Sequence, residues 1–195
     1  PYRVYGGLRF FERAEIKRED FVLVIGAGPI GLSVIQFALV SGAKLAVMDV
    51  SGPRLAFCRE KLGVAHTLTP AEAPARLLEI GAGDLPTIVI DATGNAHSMT
   101  GTFELAAHGG RIVFVGLFQG EVTFNDPNFH RRELTLCASR NAPPETFRDI
   151  IHLVETGRID TKPWITHRFA LADTPAAFPE AAKNPGLLKA MINAD

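Results

Sequence analysis

An apolar run, Phe21-Val22-Leu23-Val24-Ile25, leads straight into Gly26-Ala27-Gly28-Pro29-Ile30-Gly31. An apolar helical stretch then leads to Leu45-Ala46-Val47-Met48 and Asp49. Strand, glycine turn, helix, strand and acid in this order specify a βαβ unit whose turn is built to receive an anion. Gly26 permits the tight turn off the strand, Gly28 lets a phosphate group approach bare backbone, and Gly31 lets helix and strand pack closely. Pro29 suits the first helical position, because the amide it lacks would have had no helical partner there. Ile30 lies in the same first turn, where free amides and the positive end of the helix dipole favour a diphosphate.

Asp49 follows Gly31 by 49 − 31 = 18 residues, close to the roughly 20-residue interval of an acid that grips a ribose diol. A carboxylate there would meet the 2′-phosphate of NADP at contact range, and such like-charge juxtaposition costs on the order of several kcal/mol. The reading is therefore NAD over NADP. Arg54 lies five residues on and either pairs with a 2′-phosphate or covers the adenine with its guanidinium plane.

A length of 195 residues suits one domain with at most a small appendage. The formal charge of −1, without long charged blocks, gives no basis for a nucleic-acid or membrane partner. Cys58 and Cys137 lack C-x-x-C spacing or neighbouring metal ligands, as core thiols of a cytoplasmic protein would. The longest apolar stretch, 29–40, is shorter than the roughly 20 residues of a membrane span. No signal peptide is evident, and the chain opens on Pro1.

Alternation continues beyond the first unit, as in a parallel sheet wrapped by helices. The pattern predicts a helix from a Ser51 cap to 62, a short strand at 66–68, a helix over 71–80 and a strand at 87–91. It continues with a helix from an Asn95 cap to about 107, strands at 111–115 and 134–138, and a helix over 143–156. Six strands so connected predict a doubly wound Rossmann sheet of order 3-2-1-4-5-6, with a crevice beside the first strand. After Gly157 the texture changes: strand-like segments at 165–169 and 188–192 flank a short helix starting at Asp173, and they do not extend the alternation.

The chain resembles the cofactor-binding half of the medium-chain dehydrogenase/reductase family, the zinc-dependent alcohol and polyol dehydrogenases. The resemblance lies in Val24 to Leu32, Asp91-Ala92-Thr93-Gly94, Gly109-Gly110-Arg111-Ile112-Val113, Val115-Gly116 and Ile165-Thr166-His167-Arg168-Phe169. It implies an NAD-binding domain over 1–160 with its leading helix. Residues 161–195 would return to an absent GroES-like, barrel-like catalytic domain that carries the zinc. Pro1 resembles the proline after a zinc-ligating acid in some members. By the same resemblance Thr93 and Gly94 sit near the nicotinamide ribose and Val115 and Gly116 touch the nicotinamide. Ser139 and Arg140 stand at the far rim of that pocket, and Lys189 occupies the place of a basic residue that reaches the pyrophosphate. Ser139-Arg140-Asn141 looks like the polyol and sugar-acid branch, and homo-oligomers are common in the family, often through the sixth strand.

No catalytic residue stands out. His66, His97, His108 and His152 read as surface or capping residues, His130 and His167 have no partner legible in the sequence, and no histidine has metal-ligand spacing. Asp91, without a companion Lys, Tyr or acid, reads as a loop-ordering hydrogen-bond acceptor. The isolated chain is thus expected to bind NAD and to be inactive alone, with zinc only in a full-length parent. The competing readings are a non-catalytic NAD-sensing domain and a methyltransferase that binds S-adenosylmethionine; the three-glycine turn and the six-strand alternation favour the dinucleotide.

Overall fold

The computed structural model describes residues 13–141, 144–184 and 186–194. Six strands form one parallel sheet in the order β3-β2-β1-β4-β5-β6: β1 (Phe21–Ile25), β2 (Lys44–Met48), β3 (His66–Leu68), β4 (Ile88–Asp91), β5 (Arg111–Phe114) and β6 (Thr135–Ala138). The connecting helices are α1 (Pro29–Ser41), α2 (Gly52–Leu62), α3 (Ala73–Ile80), α4 (Ala96–Leu105) and α5 (Asp126–Arg131), and α6 (Pro144–Glu155) follows β6. The predicted order and alternation are those of the fold.

Period-two alternation divides the strand residues between two cores. Val22, Val24, Val47 and Val113 face Leu32 and Ile35 of α1 and Ile150 of α6. Leu23, Ile25, Val89 and Ile112 face Leu77 of α3 and Phe103 of α4. Because helices cover both faces, β1 is buried along its whole length and its sequence is an unbroken apolar run. Each fully buried aliphatic side chain of this kind is worth roughly 1.5–3 kcal/mol.

Several boundaries differ from expectation. Val115 leaves the β5 ladder and donates its amide to the Asp91 carbonyl at 2.9 Å. α3 begins at Ala73 rather than at 71. Helix α5 was not anticipated, although Asn125, Asp126 and Pro127 supply a start signal: Asn125 accepts from the Asn128 amide at 2.9 Å, with proline in the first turn. Asn95 caps α4 as predicted, accepting from the Ser98 amide at 3.2 Å. Ser51 makes no side-chain cap, and its amide instead donates to Asp49 Oδ1 at 2.7 Å. Asp173 also makes no side-chain cap, because its backbone is already helical. Pro1, most of the expected leading helix and Pro143 lie outside the described residues.

Beyond Gly157 the alternation does resume, in a sheet of its own. β7 (Ile165–Ala170), α7 (Thr174–Lys183) and β8 (Lys189–Asn193) form a parallel two-stranded unit. Trp164, just before β7, and Leu188, just before β8, join the core around α1, and Gln36 Nε2 donates to the Asp160 carbonyl at 2.6 Å.

Of the described glycines Gly31 is the most crowded: a Cβ there would lie 1.7 Å from the Gly26 carbonyl oxygen. Backbone occupies the place, so no side chain can rotate away. Gly31→Ala should therefore lower stability by roughly 1–3 kcal/mol or more, read as a fall in the denaturant midpoint. Cys58 is fully buried, and burial, assisted by the Asp49 carboxylate, pushes its thiol from 9.0 up to about 12. Between those values the unfolded chain releases a proton that the folded chain keeps. Stability should thus fall as pH rises above about 9, by up to roughly 1.4 kcal/mol per unit. Denaturation of Cys58→Ala at pH 8 and 10.5 should show a smaller loss than wild type.

Candidate functional site

Parallel register aligns Met48, Ile25, Asp91, Phe114 and Ala138 across the carboxyl-terminal edge of the sheet. The alignment continues one residue further through backbone bonds. The Gly26 amide donates to the Met48 carbonyl at 2.8 Å, that of Ala92 to Ile25 at 2.8 Å, and that of Ser139 to Phe114 at 2.9 Å. Asp49, Gly26, Ala92, Val115 and Ser139 therefore leave their strands along a single edge.

Gly26 turns off β1 with φ of +94°, a conformation that L side chains rarely adopt, and a Cβ there would be 2.9 Å from Thr93 Cγ2. Gly28 is the N-cap of α1 and Pro29 its first residue. The first helical bond runs from the Leu32 amide to the Gly28 carbonyl at 2.8 Å, so the amides of Ile30 and Gly31 precede the helical ladder. Around Gly28 the nearest atom to a would-be Cβ is Arg54 Nη1 at 3.9 Å, which leaves the turn open on that side.

Asp49 is only 6% exposed, and both its carboxylate oxygens are engaged. Oδ2 accepts from the Ala27 amide at 2.6 Å and Oδ1 from the Ser51 amide at 2.7 Å. A carboxylate offers about four lone-pair sites, so about two stay free for a diol. Arg54 Nη1 is 4.0 Å from Asp49 Oδ2, which sets the guanidinium between acid and turn, and its buried Nε has no partner.

Asp91 is fully buried and orders the next loop, as the sequence suggested. Oδ1 accepts from the Thr93 amide at 2.8 Å and the Thr93 hydroxyl at 2.7 Å, and Oδ2 from the Ser98 hydroxyl at 2.5 Å. Gly94 and Gly116 touch each other: a Cβ on Gly116 would lie 2.2 Å from the Gly94 amide nitrogen. The close approach of two loops is a structural reason for both glycines.

A cleft of about 760 Å³ gathers Gly26, Gly28, Pro29, Ile30, Asp49, Arg54 and Thr93. Gly31 lies behind it, against Gly26. Gly94, Val115, Gly116, Ser139, Arg140 and Lys189 are not in its lining. Ser139 is 8% exposed with an unpartnered hydroxyl, Arg140 is exposed, and Lys189 opens β8 opposite Ile165. The sequence reading missed one wall of the cleft, made by Pro70, Ala73 and Pro74, and the α4 residues His97, Gly101 and Leu105. His97 is exposed, as expected of a surface residue, and it also lines this cleft. His130 and His167 do have partners, Asp126 at 3.1 Å and Thr166 at 2.9 Å.

The glycine cradle, the free first-turn amides and the buried acid fit a dinucleotide. Among the described residues no group of three His, Cys, Asp or Glu side chains is placed to hold a metal ion, and no helix is long and apolar enough to cross a membrane.

Comparison with known proteins agrees with this geometry. The family model for zinc-binding dehydrogenases matches residues 29–156. The chain is 41% identical over 182 residues to L-galactonate-5-dehydrogenase of Escherichia coli K12, covering 92% of this chain and 54% of that protein. It is 34% identical over 197 residues to sorbitol dehydrogenase of Rattus norvegicus, covering 97% and 54%. A structure described as a zinc-binding dehydrogenase of Sinorhizobium meliloti 1021, bound to NADP, superposes with a TM-score of 0.85 at 25% identity, covering 98% of this chain and 57% of that one. The chain spans about half the length of the curated relatives it matches. It belongs to the zinc-binding dehydrogenases of the medium-chain dehydrogenase/reductase family.

Proposed function

We propose that this chain is the NAD-binding portion of a zinc-dependent oxidoreductase that oxidises a secondary alcohol of a polyol, sugar acid or similar small substrate. The observation that carries the reading is Asp49, held by the Ala27 and Ser51 amides while lining the same cleft as the glycine turn. The sugar-acid and polyol choice is supported by the names of the L-galactonate and sorbitol relatives.

In this reading the amides of Ile30 and Gly31 hold the diphosphate. Asp49 accepts the ribose hydroxyls, and Arg54 balances charge between the two. Thr93 and Gly94, with Val115, Gly116, Ser139 and Arg140, orient the nicotinamide half along the sheet edge. Lys189 reaches towards the pyrophosphate. NAD, when bound, supplies the hydride acceptor, while the chain supplies orientation and electrostatics. Zinc is assigned to the full-length parent, on residues other than the described ones. Residues 1–160 constitute the cofactor domain and 161–195 the segment that meets the catalytic domain. The edge position of β6, with Leu136 38% exposed, supports self-association of the parent.

Calorimetric titration should show NAD binding at least about tenfold tighter than NADP, the like-charge penalty of Asp49 being the cause. Asp49→Asn turns one acceptor into a donor facing a backbone amide. It should narrow that preference, weaken NAD and cost roughly 1–3 kcal/mol of stability. Wild-type preference for NADP would refute the assignment. The purified 195-residue chain should bind NAD yet produce no NADH from L-galactonate or sorbitol with zinc supplied. Measurable absorbance growth at the NADH band would reveal a catalytic site within it.

A further inference from the structure

α4 presents His97, Gly101 and Leu105 to the cleft, four residues apart and therefore on one helical face. Pro70, in the β3–α3 connection, and Ala73 and Pro74, in the first turn of α3, line the same cleft. Among these six lining residues His97 is the one titratable side chain, while Asp49 and Arg54 line the same cleft elsewhere. This wall suits a flat, neutral ring better than a phosphate.

Gly101 is the anomaly on this wall. It sits inside α4, where glycine is the poorest helix former after proline. Its φ is not positive, so the backbone does not require glycine. Packing does not require it either, since no atom lies within 4 Å of a would-be Cβ. Gly31, Gly94 and Gly116 all meet backbone at that distance. What the missing side chain leaves at Gly101 is cleft space.

We infer that Gly101 is a specificity-determining gap: its missing side chain lets the adenine attached to the sugar at Asp49 lie against the backbone of α4. This rests on the NAD-binding reading above. The test compares Gly101→Ala, Gly101→Leu and Thr100→Ala, the last a neighbour on α4 that does not line the cleft, by ligand-free melting and by titration with NAD and ADP. Gly101→Ala should raise Tm by about 2–4 °C through helix propensity, yet weaken NAD and ADP alike by roughly three- to tenfold. Gly101→Leu should weaken both on the order of a hundredfold. Thr100→Ala should bind as wild type does.

Unchanged NAD affinity in both Gly101 variants, or an equal loss in Thr100→Ala, would overturn the role of Gly101 while leaving NAD binding intact. A lowered Tm for Gly101→Ala would overturn it too, by showing that packing had demanded the glycine. Failure of wild type to bind NAD would instead refute the underlying reading.

Discussion

The approach of α1 to the end of β1 is the contact on which the rest depends. With only 1.7 Å between a would-be Cβ of Gly31 and the Gly26 carbonyl oxygen, the first helical turn can sit where it does only because residue 31 has no side chain. That approach places Ile30 in the lining of the cleft, with Gly31 packed behind it against Gly26. It also lets Leu32 and Ile35 close over Val22 and Val24, so anion seat and core arise from one packing event.

Two buried carboxylates then organise the edge. Asp49 ties the glycine turn to the end of β2 through the Ala27 amide, and Asp91 ties the loop of Thr93 to α4 through Ser98. Each is satisfied by short bonds from amides or hydroxyls, which is how an acid tolerates burial. The cleft lies between these anchored loops, and bonds that fix its walls lower the ordering cost of binding. Asp49 serves both ends at once, since the carboxylate that lines the cleft also holds the glycine turn through the Ala27 amide.

Much of this was legible in the sequence where the signal was local. Gly26, Gly28, Gly31 and Asp49 were readable because turn, helix start and strand end follow one another along the chain. Gly94 and Gly116 were assigned to the ligand, yet they also meet each other, a contact between loops 22 residues apart that no local pattern displays. Pro70, His97 and Leu105 carry no motif. They reach the cleft because β3 and β4 flank the central pair of strands on opposite sides, which is a property of sheet order.

The sequence by itself determined the element order, the six-strand topology and the glycine turn, because hydrophobic period and glycine placement act over a few residues. Only the tertiary structure decided where the oxygens of Asp49 point, that β7 and β8 form their own sheet, and that Gly101 lines the cleft. Those outcomes depend on the rotation of each helix and the register of each strand against partners far along the chain. They are settled when the two faces of the sheet are packed.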